Sequence, residues 1–232
     1  MTLVALFAAS TVHASLGFGT ALVAMPLLVP VLGFAQATPL VGLAALLTVI
    51  AVLARDWRAM DARAASRLLL ATLPGIPLGV ALIRLAPADW LRGGLGLLLL
   101  AYASWSLARP RLPRLGDGPA VYGFGLVAGV LGGAYNTNAP PLVLYGALVR
   151  WSPARFRASL SGYFLFAAAA ICVVHAASGL WTPRVFTLLG HALPVLALGN
   201  LLGAWLSRRI PQARFARLLY VLLALLGVLM LL

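Results

Sequence analysis

The chain has 232 residues, 63% of them hydrophobic and 9% charged, with a net charge of +13 and a mean hydropathy of +1.04. Such a composition excludes an ordinary soluble domain. The 17 basic residues are all Arg and lie between long apolar blocks rather than on one basic face, so they do not mark a nucleic-acid partner.

Apolar blocks run at roughly 3–31, 38–54, 66–86 and 91–108, then at 121–149, 156–178, 184–207 and 214–232. A membrane helix needs ~20 apolar residues to cross the hydrocarbon, so the chain predicts an all-α, polytopic membrane protein with the lipid bilayer as its surroundings. Near the start, Val12-His13-Ala14 before Ser15 resembles a cleavage site for a leader, but no Lys or Arg precedes that apolar run, which argues against cleavage. The strip 109–119, rich in Arg and Pro, is the one stretch with linker composition. It divides the chain into a first membrane repeat (1–108) and a second (120–232). The lone cysteine, Cys172, sits inside an apolar block, so neither an intrachain disulfide nor a thiolate metal cluster is available.

The halves echo one another. A shift of 115 places Leu16-Gly17 on Leu131-Gly132 and Pro26-Leu27 on Pro141-Leu142. A shift of 120 places Leu73-Pro74 on Leu193-Pro194 and Leu78-Gly79 on Leu198-Gly199, and Pro87 meets Pro211 at 124. Ordered Gly and Pro matches of this kind indicate an internal duplication. If all eight blocks cross once, Arg is shared almost equally between the two faces. If the first block of each half dips in and returns, 14 of the 17 Arg collect on one face, leaving Arg84, Arg92 and Arg184 on the other. The positive-inside rule selects the second arrangement. It makes the halves inverted repeats, each with one re-entrant element and three transmembrane helices, and places the Arg-rich loops and the central linker in the cytoplasm.

Each long first block is interrupted. The first interruption reads Gly17-Phe18-Gly19-Thr20 and is followed by Pro26; the second runs from Gly132 through Tyr135, Asn136, Thr137 and Asn138 to Pro140 and Pro141. Irregular backbone inside a bilayer is tolerated only where protein buries it or where it lines a wet cavity, and paired breaks in two repeats point to a midplane site. Each half-helix that follows a break offers free N–H groups and the positive end of its dipole, a ready site for an anion. Asn136, Thr137 and Asn138 add neutral donors. The bland reading is that the Gly residues only allow close helix packing. Three polar side chains in lipid need partners, which favours a site at the second break. His13, His175 and His191 also fall in apolar blocks, and His191 with nearby Asn200 is the preferred proton relay. Arg155 and Arg157 fit a topology signal better than a gathering point for anions.

The acids Asp56, Asp61, Asp89 and Asp117 all lie between blocks, so no intramembrane carboxylate pair exists. That disfavours a buried acidic relay and a membrane hydrolase, and no P-loop is present. Neither an enzyme nor a cofactor is expected.

The Gly-rich break before Pro26, its echo ending Ala139-Pro140-Pro141-Leu142-Val143-Leu144-Tyr145, and the duplicated length resemble the TauE/SafE family of membrane permeases. The resemblance covers nearly the whole chain. It implies a transporter of the bacterial inner membrane that moves a small anion, sulfite or a small organosulfonate, by alternating access. This chain departs from the family in carrying Asn136-Thr137-Asn138 where many relatives have a plainer Gly-rich run. A passive anion channel would share the same site, and a membrane assembly or scaffold protein would not need it. The coupling ion and the direction of transport stay open, and a homo-oligomer is compatible with the sequence.

Overall fold

The computed structural model describes residues 1–56, 62–108, 113–116 and 118–232, without the side chains at 55–56, 62–65, 153–158 and 161. The side chains of Arg155 and Arg157, and residues 109–112 and 117 of the 109–119 strip, therefore lie outside the described residues. Among the described residues there are eleven helices and no strand: α1 (Thr2–Leu16), α2 (Thr20–Leu32), α3 (Phe34–Asp56), α4 (Ala62–Thr72), α5 (Gly75–Leu85), α6 (Ala88–Ala108), α7 (Ala120–Tyr135), α8 (Ala139–Leu148), α9 (Pro153–Ala177), α10 (Pro183–Arg209) and α11 (Gln212–Leu231).

Among the described residues, five stretches are long and apolar enough to cross a membrane: Phe34–Ala54, Ser66–Leu85, Ala88–Ala108, Pro183–Arg209 and Gln212–Leu231. The second spans α4 and α5, with a turn at Leu73–Pro74 where the sequence reads as one block. Its counterpart Pro194 stays within the continuous helix α10. The helices flanking the two interruptions are shorter, at 15, 13, 16 and 10 residues for α1, α2, α7 and α8. None reaches the ~20 residues of a full crossing. The N–H of Leu115 donates to the Leu148 carbonyl at 3.0 Å, so the chain entering α7 meets the chain leaving α8.

Packing is reciprocal between the halves. Helix α1 lies along α10, while α7 lies along α4 and α5; α3 meets α9, and α6 meets α11. Glycines set how closely these pairs approach. A methyl group on Gly75 or Gly79 would run into the backbone of α7 beside Gly129 and Gly133, and one on Gly199 or Gly203 would run into α1 at Phe7 and Thr11. In lipid no hydrophobic force drives helices together, so backbone approach through small residues supplies the contact area. Gly132 and Gly133 thus belong to helix α7 and its packing face, and the second interruption is confined to 136–138.

The halves also differ. Helix α2 packs against both α6 and α11. On the other side, an apolar groove of about 720 Å³ separates α6 from α7 and α8, lined by Tyr102, Trp105, Phe124, Pro140, Pro141 and Leu144 among others.

Candidate anion site at the paired helix breaks

The first break turns on two glycines. Helix α1 ends at Leu16, Gly17 adopts φ 84°, Gly19 adopts φ 111°, and α2 begins at Thr20. A side chain is strained in such backbone, and glycine is not. The second break uses a different residue for the same turn: α7 ends at Tyr135, Asn136 stands at φ 53°, and α8 begins at Ala139. Asn is the residue other than Gly that visits this left-handed region most readily, because its short amide bonds locally. Here the amide nitrogen of Asn136 donates to the Thr38 carbonyl at 2.7 Å, pinning the break to α3. The Thr38 hydroxyl returns a bond to the Ala134 carbonyl at 3.2 Å.

The two breaks meet at one cavity of about 40 Å³. Its wall is made by His13 of α1, Phe18 to Leu22, Ala45 and Val49 of α3, Asn136 to Ala139, and Phe164, Ala168 and Ile171 of α9. Phe18, Gly19, Thr20, Asn136, Thr137 and Asn138 are therefore brought together at one cavity. The other residues singled out stand elsewhere. Gly17 is exposed, and Pro26 is buried within α2. Tyr135 packs against Phe34 and donates its hydroxyl to the Leu91 carbonyl at 3.1 Å. Pro140 and Pro141 line the apolar groove instead. On α10, His191 is exposed, while Asn200 is buried with its amide nitrogen on the Leu196 carbonyl at 2.9 Å; neither lines the cavity.

His13 is the histidine at the cavity, its Nδ1 2.7 Å from the Thr20 hydroxyl. The signal for it in the sequence was its spacing, seven residues ahead of Thr20 across a glycine break. His175 lies behind the cavity, one turn beyond Ile171 on α9, where its Nε2 meets the Gly133 carbonyl at 3.1 Å. Asn138 hydrogen-bonds the Tyr163 hydroxyl, which in turn meets the Thr72 hydroxyl at 2.9 Å.

The donors at the two lips are of different kinds. At α2 no side chain caps the helix, and the bond from Val23 N–H to the Gly19 carbonyl, 3.2 Å, is the one that opens the intrahelical ladder. The N–H groups of Thr20, Ala21 and Leu22 precede that ladder, and all three residues are buried on the cavity wall. At α8, Pro140 and Pro141 occupy the first turn and carry no N–H. That lip offers side-chain amides in place of most of its backbone donors, while the Thr137 hydroxyl donates to the Tyr135 carbonyl at 3.1 Å. Both helix N-termini border the same cavity, so the positive ends of both dipoles lie beside it. Among the described residues, no three His, Cys, Asp or Glu side chains come together as a metal set.

Neither a curated protein nor a solved structure matches the chain significantly. The family described as Sulfite exporter TauE/SafE matches residues 2–230, nearly the whole length. With five helices suited to crossing a bilayer and this family-wide match, the chain is a multi-pass membrane protein that belongs to the TauE/SafE sulfite exporter family.

Proposed function

We propose that the chain is a permease that carries sulfite, or a sulfur oxyanion of similar size, across the bacterial inner membrane by alternating access. The observation that carries this reading is the convergence of the N-termini of α2 and α8 on a buried cavity walled by Thr20, Asn136, Thr137 and Asn138. Two helix dipoles contribute roughly half a positive charge each at their N-termini, so together they match a small anion without any fixed cation. A site built from neutral donors binds an anion and can also release it, as transport requires.

Size narrows the substrate. A water needs ~10–15 Å³ by the same measure of space. A cavity of about 40 Å³ accommodates an ion with a sulfur and three oxygens better than sulfoacetate or taurine, which carry a carbon chain as well.

The reciprocal packing of α1 on α10 and of α7 on α4 and α5 supports two inverted repeats. The bond between Leu115 and Leu148 supports a re-entrant second element that returns to the face it left. Their unequal closure, with α2 packed on α6 and α11 but α8 parted from α6 by the groove, is what alternating access asks of repeats that exchange conformations. In this reading 1–108 and 120–232 are the repeats, 109–119 is the cytoplasmic linker, and the chain does no covalent chemistry.

The test is flux in proteoliposomes holding the purified chain, with sulfite, thiosulfate, sulfoacetate, taurine, sulfate and chloride offered in turn. Saturable sulfite flux and sulfite counterflow are expected. Flux that never saturates would replace the permease with a channel. No flux of any anion from folded protein would remove the transport reading. Cysteine labelling at Arg114 and Arg150 should report the same face of the membrane, and opposite faces would exclude the re-entrant arrangement.

A further inference from the structure

We propose that His175 is a proton-binding site coupled to the anion cavity, so that one proton on its Nδ1 travels with the anion. This rests on the transport reading above and adds its coupling ion.

The argument starts from hydrogen-bond direction. The Gly133 carbonyl can only accept, so Nε2 of His175 carries the hydrogen in the 3.1 Å contact between them. In a neutral ring Nδ1 is then a bare acceptor. His175 is fully buried, and among the described residues no partner reaches Nδ1. Asn136 is oriented by the same logic. Its amide nitrogen donates to the Thr38 carbonyl at 2.7 Å, which leaves its carbonyl oxygen, Oδ1, on the opposite side.

Both acceptors border the space above Gly42 of α3. A methyl group built there would lie 3.0 Å from Asn136 Oδ1 and 3.4 Å from His175 Nδ1. Two lone pairs thus face one small space. A proton added to Nδ1 makes it a donor, and a small closure of the space above Gly42, across which the neutral ring makes no bond, brings it to the Asn136 oxygen. That bond would tie α9 to the break between α7 and α8 through Asn136, which itself lines the anion cavity. The positive charge it brings is stabilised most when an anion stands on the other side of Asn136. Anion and proton therefore favour one another's binding, by the reciprocity of linkage.

Among the described residues, no other ionisable group on the packed elements competes for this role. Helix α9 packs against α3, α4, α5 and α7. The described part of α3 has no ionisable side chain, and Arg67 of α4 is exposed. Arg84 of α5 is exposed and donates to the Ser178 carbonyl. On α7, Tyr122 is exposed and Tyr135 is bonded to Leu91. On α9 itself, Tyr163 is bonded to Thr72, and Cys172 is buried. At the cavity, His13 already has the Thr20 hydroxyl on its Nδ1.

The experiment uses the full chain in proteoliposomes, with sulfite counterflow at equal pH as one readout and sulfite-driven proton movement, followed by an entrapped dye, as the other. Wild type is expected to show both. His175→Gln keeps a donor for Gly133 but cannot be protonated; it should still exchange sulfite, more slowly, and lose proton movement by roughly tenfold or more, within the range of coupling between linked sites. Sulfite's own protonation is common to both proteins and cancels in the comparison. His13→Gln should slow exchange without changing the number of protons moved per sulfite.

Counterflow without proton movement in wild type overturns the coupling and leaves the transport reading intact. Proton movement that survives in His175→Gln, or disappears only in His13→Gln, also overturns it. Absence of wild-type counterflow overturns both readings. If the Gln variant does not fold, ¹⁵N spectra of histidine-labelled wild type decide: sulfite must convert one ring from a bare Nδ1 to a protonated one, and unchanged spectra overturn the proposal.

Discussion

The two helix breaks make the same kind of turn with opposite chemistry. At the first, Gly17 and Gly19 supply backbone freedom and no side chain, and the donors belong to the main chain of Thr20, Ala21 and Leu22. At the second, Asn136 accepts the left-handed conformation itself, Pro140 and Pro141 delete main-chain donors, and side chains take over. On the proposed reading, two elements of like geometry divide the work of holding an anion between backbone and side chains. A rigid backbone lip fixes position. A side-chain lip can be altered one residue at a time, so differences in substrate choice should concentrate there.

The comparison breaks hardest under a double substitution at the side-chain lip. Asn136→Leu with Asn138→Leu should cut sulfite flux by roughly a hundredfold or more, since two buried bonds to a charged group at ~1.5–3 kcal/mol each are lost. A monodisperse profile on size exclusion checks that the protein still folds. Unchanged flux would show that the anion does not pass this lip.

Ala21→Pro attacks the backbone lip in kind, because it removes one N–H at the position where α8 already carries Pro140. One charge-assisted bond fewer should weaken sulfite binding by roughly 10- to 100-fold, read by isothermal titration or by the KM of flux. An unaltered affinity would leave the α2 donors without a role.

Asn136→Gly separates the turn from the amide. Glycine adopts φ 53° freely, so the turn should form and Tm should fall only by the worth of the lost bond to Thr38, about 1 kcal/mol, while loss of the polar lip should lower flux by about 5- to 10-fold. The reverse change, Gly19→Ala, should act on stability instead. Its φ of 111° and the Val12 Cγ1 atom 3.1 Å from the added methyl are expected to cost about 1–3 kcal/mol, seen as a lower Tm, with the anion's affinity little altered in the protein that folds.

Thr20→Val is the mildest change. It removes the hydroxyl partner of His13 but leaves the Thr20 N–H in place. An effect of about 2- to 5-fold on KM is expected for one neutral hydrogen bond, and a hundredfold loss would mean that the side chain, not the backbone, carries the first lip.

Much of this was legible without coordinates. Apolar block lengths determined the membrane class, because the thickness of hydrocarbon dictates how many residues a crossing takes. Glycine located the first interruption, since Gly17 and Gly19 act on their own backbone, whereas the second turns on Asn136 while Gly132, Gly133, Pro26 and Pro194 stay within helices. The ordered repeat and the family resemblance followed from the same local features. Tertiary structure alone decided which residues face one another. That Gly132 and Gly133 belong to helix α7 rather than to the break depends on its neighbours, Ile171 of α9 standing over Gly132 and the α5 backbone at Ile76 over Gly133. That His13 stands at the cavity, His175 behind it and His191 on the outside depends on how α1, α9 and α10 are rotated within the bundle. Helices that are apolar all round carry almost no record of which face points inward. The contacts that orient them, glycine against backbone across more than fifty residues of sequence, arise only when the helices have met.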